Sequence, residues 1–338
     1  MTADRVQQGG FSGTGLALLQ ELARHGAQVI ALHPSPTDAR ILQLVELVRS
    51  STDNERIYVE QCDMLDCGSI KAFGDRWTKD GRSGMVQDLE ARIDAVIFAE
   101  GEGVDLAALH TNDRYRTAYL TSRHALVQSL LPVLLRSAQF SSSPIRIIGH
   151  IPPSYAMSSA SRNEMQPWLA EGQAALSSLA LTRESQSRLG PKGLCFVSAC
   201  GGVTRSWTYS LLNQAGTFYV AAWLGVLLTW ILWPLVWTFG KSSRSAAQVF
   251  LMTLCSPVNH SHVPQTEDLI ERNGKMQSEL AVESMNDGRK IIGGGLYRDG
   301  LLVRVAALDR LSPQFGNRIW NDETDTVQRI LAEDKKHA

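Results

Sequence analysis

Four glycines set up the first piece of chemistry in this chain. Gly9, Gly10, Gly13 and Gly15 stand in QGGFSGTGLALL, directly before a run whose leucines recur at helical spacing. Glycine in such a turn lets the backbone approach a pyrophosphate, and the following helix offers unpaired amide donors and the positive end of its dipole. His150 closes the apolar run IRIIGH and is of a type that titrates near neutrality, although a lone histidine at a strand end also reads as a hydrogen-bonded structural residue. The five cysteines, Cys62, Cys67, Cys195, Cys200 and Cys255, form no CxxC pair. They have no metal-ligand spacing and suit a reducing compartment, as buried small side chains. With 44% hydrophobic and 20% charged residues and a formal net charge of -1, the chain offers no basic tract for a nucleic acid.

The elements that must position these residues follow one another in a simple rhythm. LALLQELARHG is a helix ending at Gly26, AQVIALH a buried strand, ARILQLVELVRSS a second helix and RIYVEQCD a third strand-like segment. GSIKAFGDRW is helical, DAVIFAEG is a strand ending at Gly101, and YRTAYLTSRHALVQSLLPVLLR is a long amphipathic helix. IRIIGH, EGQAALSSLALTRESQSRL and GLCFVSACGG continue as strand, helix and strand, and SAAQVFLMTLCSP is a later helix. Strand and helix alternate, which is the pattern of a parallel sheet covered on both faces. The remainder mixes charged helix with glycine turns such as IIGGGLYRDG, and no fixed-period repeat is present. The opening MTADRVQQGG lacks the apolar core of a secretory signal, so a chain without a cleaved leader is expected.

On these motifs the sequence resembles the short-chain dehydrogenase/reductase family. The glycine loop is similar to the family's Thr-Gly-x-x-x-Gly-x-Gly, with Gln8 in place of the threonine and Gly9, Gly13 and Gly15 on its glycines. CDMLDCGSIKAF looks like the acidic turn that faces the adenine, which implies a side-chain role for Asp63 and a backbone role for Met64. DAVIFAEG matches the strand that ends Asn-Asn-Ala-Gly, and VSACGGVTRSW the turn beside the nicotinamide. The resemblance implies an α/β fold, a Rossmann-type doubly wound parallel sheet, with Gly9, Gly13, Thr14, Gly15, Asp63, Met64 and Gly101 as cofactor-binding residues. The cofactor implied is NADP or NAD, and no metal is implied. Later segments look most like the retinol-dehydrogenase-like branch, which acts on lipophilic alcohols and ketones at membranes. Pairing through the helices that flank the active site makes a homodimer a further implication.

The chain departs from the family where the family does its chemistry. Proton transfer there uses a tyrosine whose pKa is lowered by a lysine four residues on, with a serine holding the substrate oxygen. The family's spacing puts Glu171 and Ala175 at those two positions, and the alternative register puts Leu169 and Gln173 there. No tyrosine is followed by a lysine four residues later, and no lysine lies between Lys79 and Lys192. Ile151 and Pro152 stand where the family reads Ser-Ser, which leaves Ser154 as the nearest hydroxyl with Tyr155 beside it. Ser154, Tyr155 and Glu171 are therefore the candidates for catalysis. Against that, a glutamate early in a helix is most simply a solvated, dipole-favoured residue. Phe98, Ala99 and Glu100 replace Asn-Asn-Ala, and MTADRVQQ offers a single valine for a first strand, expected to be short, irregular or lost. LHPSP carries no ribose-binding acid, and His33 with Arg40 leans toward NADP. A nucleotide site altered this far also leaves open that no cofactor binds.

One stretch interrupts the alternation. Residues 206–240 hold no charged residue, and FYVAAWLGVLLTWILWPLVWTF within them matches a bilayer's hydrocarbon in length, with Lys241 and Arg244 following at once. The tryptophans Trp207, Trp223, Trp230, Trp233 and Trp237 favour an interface, and Pro234 would kink or end a helix. Spanning, monotopic and buried-core readings all remain open from the sequence. The expected organisation is a nucleotide-binding core over 1–204, a hydrophobic membrane-associating insertion over 205–243, and the rest of the same domain over 244–338. Two functions follow: a membrane-associated oxidoreductase of a lipophilic alcohol or ketone at an intracellular membrane, or a catalytically inactive relative that binds or scaffolds.

Overall fold

The computed structural model describes residues 4–8, 10–11, 13–79, 92–99, 120–157, 167–205, 208, 234, 237–238, 240–259, 282–283, 291–309, 311–312 and 314–337. The strands are β1 (Asp4–Gln8), β2 (Gln28–His33), β3 (Ile57–Gln61), β4 (Ala95–Phe98), β5 (Ile145–His150), β6 (Leu194–Cys200), β7 (Val258–Asn259), β8 (Val282–Glu283), β9 (Ile291–Ile292), β10 (Leu296–Arg298) and β11 (Leu301–Val303). The helices are α1 (Gly13–Arg24), α2 (Ala39–Thr52), α3 (Cys67–Lys79), α4 (Ser122–Phe140), α5 (Pro167–Leu189), α6 (Ser243–Cys255), α7 (Ala306–Asp309) and α8 (Gln314–His337).

The sheet runs β3-β2-β1-β4-β5-β6-β10-β11-β8. It is parallel from β3 to β10, as the alternation implies, and then departs from it: β11 is antiparallel to β10, and β8 to β11. The turn Asp299-Gly300, with φ of 54° and 79°, reverses the chain between β10 and β11. Positive φ at both positions suits the right-handed twist of a tight hairpin, which is why a short polar-glycine pair ends the parallel run.

The first strand is present. β1 has five residues and is hydrogen-bonded on both sides, in register with β2 from Asp4↔Gln28 and with β4 from Arg5↔Ala95. A position between two apolar strands supplies the backbone pairing that the sequence of β1 does not advertise.

Helices cover both faces. Leu18, Leu19 and Leu22 of α1 meet Val45 and Val48 of α2 and Val249 and Phe250 of α6 on one side. On the other, Phe73 and Trp77 of α3 pack with Leu126, Leu130 and Leu134 of α4, and Ala175, Leu179 and Ala180 of α5 form a further cluster with Leu296 and Val303. Local chemistry fixes the helix ends: Asp38 caps α2 by accepting from Arg40 N at 2.9 Å, and Ser242 caps α6 by accepting from Ser245 N at 3.2 Å. Cys255 is exposed, unlike the other four cysteines, so the expectation of a fully buried set fails at the last turn of α6.

Among the described residues no helix is long and apolar enough to cross a membrane. Most of the uncharged stretch, including Trp207, Trp223, Trp230 and Trp233, lies outside the described residues.

Candidate functional site

The carboxyl ends of β1, β4, β5 and β6 share one edge of the sheet, the edge where an open α/β fold binds its ligand. At the front of it Gly10 is buried and Gly13, the first residue of α1, has φ of 44°. Thr14 and Gly15 are buried, and the first turn of α1 carries no acidic residue. The arrangement leaves the helix N-terminus electrostatically open to an anion. Gly9 and Gly101 of the expected cofactor set lie outside the described residues, as does Glu100.

Two further expected residues sit beside this loop. Asp63 accepts from Leu65 N at 2.9 Å through Oδ1 and donates its own N–H to Ser69 Oγ at 2.9 Å, and Asp66 caps α3 through Gly68 N at 2.8 Å. The turn is thus locked by its own side chains, with Met64 buried within it. His33, at the end of β2, accepts from Ser35 N at 3.1 Å and meets the Phe11 ring edge-on at 5.8 Å.

At the ends of β4 and β5 the structure separates structural from candidate catalytic groups. Arg123 donates to His150 O at 2.7 Å and lies 5.6 Å from the Phe98 ring centre, tying the two strands together where the family has Asn-Asn. His150 is fully buried against Phe250, ring centres 6.1 Å apart. Burial, reinforced by the Arg123 charge, pushes its pKa down to about 3, so the ring is neutral and takes the structural reading.

The chain beyond β5 folds into a 3-10 turn, Pro153–Met157, packed against α5. Ser154 is completely buried, and its Oγ has no hydrogen-bond partner among the described residues. Leaving a hydroxyl buried and unpaired costs about 1–3 kcal/mol. Tyr155 is 3% exposed and packs with Ile151, Ala174, Ala175 and Cys200. Burial raises its phenol pKa above the usual value, the neighbouring Cys200 adds to the rise, and the Arg298 guanidinium opposes it. Arg298 is the residue that sequence spacing missed. It comes from β10, opposite Cys200 in the ladder, so no local signal near Tyr155 announces it.

Glu171 corrects an expectation. It is 5% exposed rather than solvated, on a turn where Gly172 and Ala174 are also buried. Ala175, one turn later on the same face, is wholly buried in the cluster that holds Tyr155. The serine–tyrosine turn and the helix face in the family's tyrosine register are therefore brought together, while the lysine position is filled by a methyl group. Of the alternative register, Leu169 lies where no side chain is described and Gln173 is exposed.

A cavity of about 40 Å³ lies behind this edge, lined by Phe98, Arg123, His124, Ser178, Thr182 and Ser185 among others. It has room for a few waters and none for a nucleotide. His124 beside it is 3% exposed, and burial together with the Arg188 charge pushes its pKa down to about 4. Both buried histidines have folded pKa values below the unfolded one, so the unfolded chain takes up protons first and stability falls as pH drops below about 6.5. Between about pH 6.5 and pH 5 the His124 contribution amounts to about 2 kcal/mol. Urea titrations at pH 7 and pH 5 are expected to show at least that loss, and a His124→Gln variant a shallower dependence on pH.

No model of a known protein family matches the chain. It is 25% identical over 280 residues to the uncharacterized oxidoreductase pbr1 of Schizosaccharomyces pombe, covering 74% of this chain and 69% of that one. It is 32% identical over 136 residues, 39% of each chain, to the short-chain dehydrogenase/reductase drtF of Aspergillus calidoustus. Among solved structures, an NADPH-bound short chain oxidoreductase of Pseudomonas aeruginosa PAO1 containing an atypical catalytic center superposes with a TM-score of 0.53. The two are 20% identical, over 75% of this chain and 89% of that one. A short-chain dehydrogenase/reductase of Burkholderia xenovorans gives a TM-score of 0.53 at 16% identity, over 74% and 88%. Sheet order and glycine loop give the chain a Rossmann-type α/β fold with a parallel sheet, and its sequence is similar to oxidoreductases that include a short-chain dehydrogenase/reductase.

Proposed function

We propose that this protein is a membrane-associated, NAD(P)-dependent oxidoreductase of a lipophilic alcohol or ketone, in the manner of the retinol-dehydrogenase-like branch, with a rebuilt catalytic centre at an intracellular membrane. The observation that carries the reading is the buried pair Ser154 and Tyr155 at the carboxyl end of β5, with the Arg298 charge beside the phenol. The Pseudomonas oxidoreductase, NADPH-bound and described as containing an atypical catalytic center, is a precedent for this fold keeping its cofactor beside an altered centre.

The residues at the front of the sheet fit a dinucleotide. Gly13 at φ of 44°, the buried Thr14 and Gly15, and an α1 first turn without acids leave a place for a pyrophosphate, and Asp63 with Met64 lines the adenine side. Between the two cofactors, His33 and Arg40 and the lack of an acid after β2 lean toward NADP. When bound, the nicotinamide supplies the hydride. The chain's own part is to hold and move the proton: Ser154 Oγ donates to the substrate oxygen, Tyr155 OH delivers the proton to it, and the fixed Arg298 charge favours the phenolate left behind.

A second reading, a catalytically inactive relative that binds or scaffolds, is favoured by Ala175, because no cation stands four residues beyond position 171 to assist an acid there. Titrating the detergent-solubilised protein with NADPH and NADH, followed by energy transfer from tryptophan to nicotinamide, separates the readings when joined to turnover of a long-chain aldehyde such as hexadecanal. Saturable binding with turnover is expected. Binding without turnover would pass the protein to the second reading. Gly13→Val, which forces a branched side chain into a left-handed conformation at the pyrophosphate loop, is expected to weaken NADPH binding by about tenfold, equivalent to ~1.4 kcal/mol.

A further inference from the structure

Arg298 reaches the site from the strand that closes the parallel run. β10 is parallel to β6, and its last residue stands opposite Cys200, the last residue of β6. The arginine therefore sits at the same carboxyl edge of the sheet as the turn that carries Ser154 and Tyr155. Burial raises the pKa of the Tyr155 phenol, and the Arg298 charge together with a hydrogen bond from its guanidinium opposes that rise. The two groups meet, yet they differ in access. Tyr155 is 3% exposed, whereas the Arg298 side chain is 38% exposed, so a molecule arriving from solvent meets the cation first.

The charge of this arginine is only partly answered by the protein. Among the described residues the carboxylate it meets is Asp299, with Nε 3.8 Å from Oδ2, beyond hydrogen-bonding distance. Asp299 is itself half exposed and pairs through its other oxygen with Lys241 Nζ, so two cations share one carboxylate. A screened pair of this kind contributes little. The cluster that holds the phenol is otherwise apolar, with Ile151, Ala174, Ala175 and Leu296 in it. We infer that Arg298 binds the carboxylate of the substrate, and that this substrate is an oxo acid whose carboxylate stands on the carbon next to the reacting carbonyl.

The contact between phenol and guanidinium sets that spacing. Tyr155 OH serves the carbonyl oxygen, so the planar fork of donors beside it serves a group only one bond further along the same molecule. A carboxylate there can accept two parallel N–H bonds, a geometry that arginine fits and lysine does not. A neutral aldehyde or ketone leaves the fork facing a group that cannot satisfy it, and that unpaired donor is the source of selectivity. In the reaction the keto carbon gains a hydride from the nicotinamide and its oxygen gains a proton from Tyr155. The 2-oxo acid leaves as a 2-hydroxy acid and the cofactor leaves oxidised. The inference rests on the oxidoreductase reading and narrows its substrate to a long-chain 2-oxo acid, which keeps a lipophilic tail.

Initial rates with NADPH test it on the full chain in detergent. The substrates are 2-oxohexadecanoate and its methyl ester, which has the same tail and an equally activated carbonyl without the charge, with hexadecanal as reference. The acid is expected to show a kcat/KM about tenfold or more above the ester. Arg298→Gln is expected to erase the difference, and Arg298→Lys, which keeps the charge and loses the fork, to fall between. Loss of Arg298 also slows Tyr155 on every substrate, so the acid-to-ester ratio is the readout. Retained NADPH binding shows that each variant is folded, and Kd values for acid and ester with NADP in place of NADPH give the same ratio in a variant too slow to assay. Equal use of acid and ester by the unaltered chain, or a preference that survives Arg298→Gln, overturns the assignment while leaving the oxidoreductase reading in place. Absence of turnover with acid, ester and hexadecanal alike overturns both.

Discussion

Tyr155→Phe will lower turnover by about 10²–10⁴-fold while leaving NADPH affinity and the fold unchanged. The substitution keeps a ring that is 3% exposed and removes only the hydroxyl, so the packing with Ile151, Ala174 and Ala175 survives and stability changes little. The proton-donating form of the phenol is the neutral one, and burial holds it neutral well above pH 7. Arg298→Leu removes the charge that opposes this rise, so the phenol becomes a poorer acid still. The alkaline limb of the kcat profile then moves to higher pH and the neutral-pH rate falls, which a role confined to packing would not produce. Glu171→Gln is the discriminating control. If Glu171→Gln abolishes turnover and Tyr155→Phe does not, the proton comes from α5 and the assignment of Tyr155 fails.

The order of the parallel sheet was legible because its inner strands are short apolar runs, AQVIALH, DAVIFAEG, IRIIGH and GLCFVSACGG, buried on both faces and separated by helical periodicity. β1 was harder to see: its place is dictated by two neighbours that bond to its backbone, and backbone pairing leaves little mark on residue type. β10 and β11 were hidden for a different reason. Three residues each, around a polar-glycine turn, are too few to show alternation, yet they complete the sheet and deliver Arg298. The glycine loop and the acidic turn could be read locally, since each is a contiguous motif. The cation beside Tyr155 could not, because spacing along the chain says nothing about a partner that reaches the site across a sheet ladder. Glu171 shows the same limit from the other side. Helical position favours a solvated acid, and only the packing of α5 shows that the residue is covered.

Trp320→Ala will destabilise the protein by about 3 kcal/mol, the lower end for removing a buried tryptophan, because the ring is only partly covered. The sequence marks α8 merely as a charged helix, yet it lies across α5 and reaches α3 and α4. Trp320 touches both hydrophobic clusters on that face, meets the His124 ring edge-on at 4.7 Å and lies under the Arg188 guanidinium at 5.0 Å. Around it, Glu323, fully buried, accepts from Thr121 Oγ1 at 2.6 Å, and Thr324 Oγ1 meets His124 Nε2 at 2.9 Å. These bonds fix how α8 sits on α4, and Asn317, accepting from Arg188 at 2.6 Å, fixes how it sits on α5. Chemical denaturation will measure the loss. Removing residues 314–338 altogether will do more, since it uncovers the apolar faces of α4 and α5 that Ile319 and Val327 now seal. A homodimer built on those two helices would have to displace α8, so the intact chain is expected to keep that face for itself and the shortened one to self-associate, which light scattering after size exclusion will show. Dimers of the full chain that survive substitution of exposed residues elsewhere but dissociate with α4 variants would contradict this.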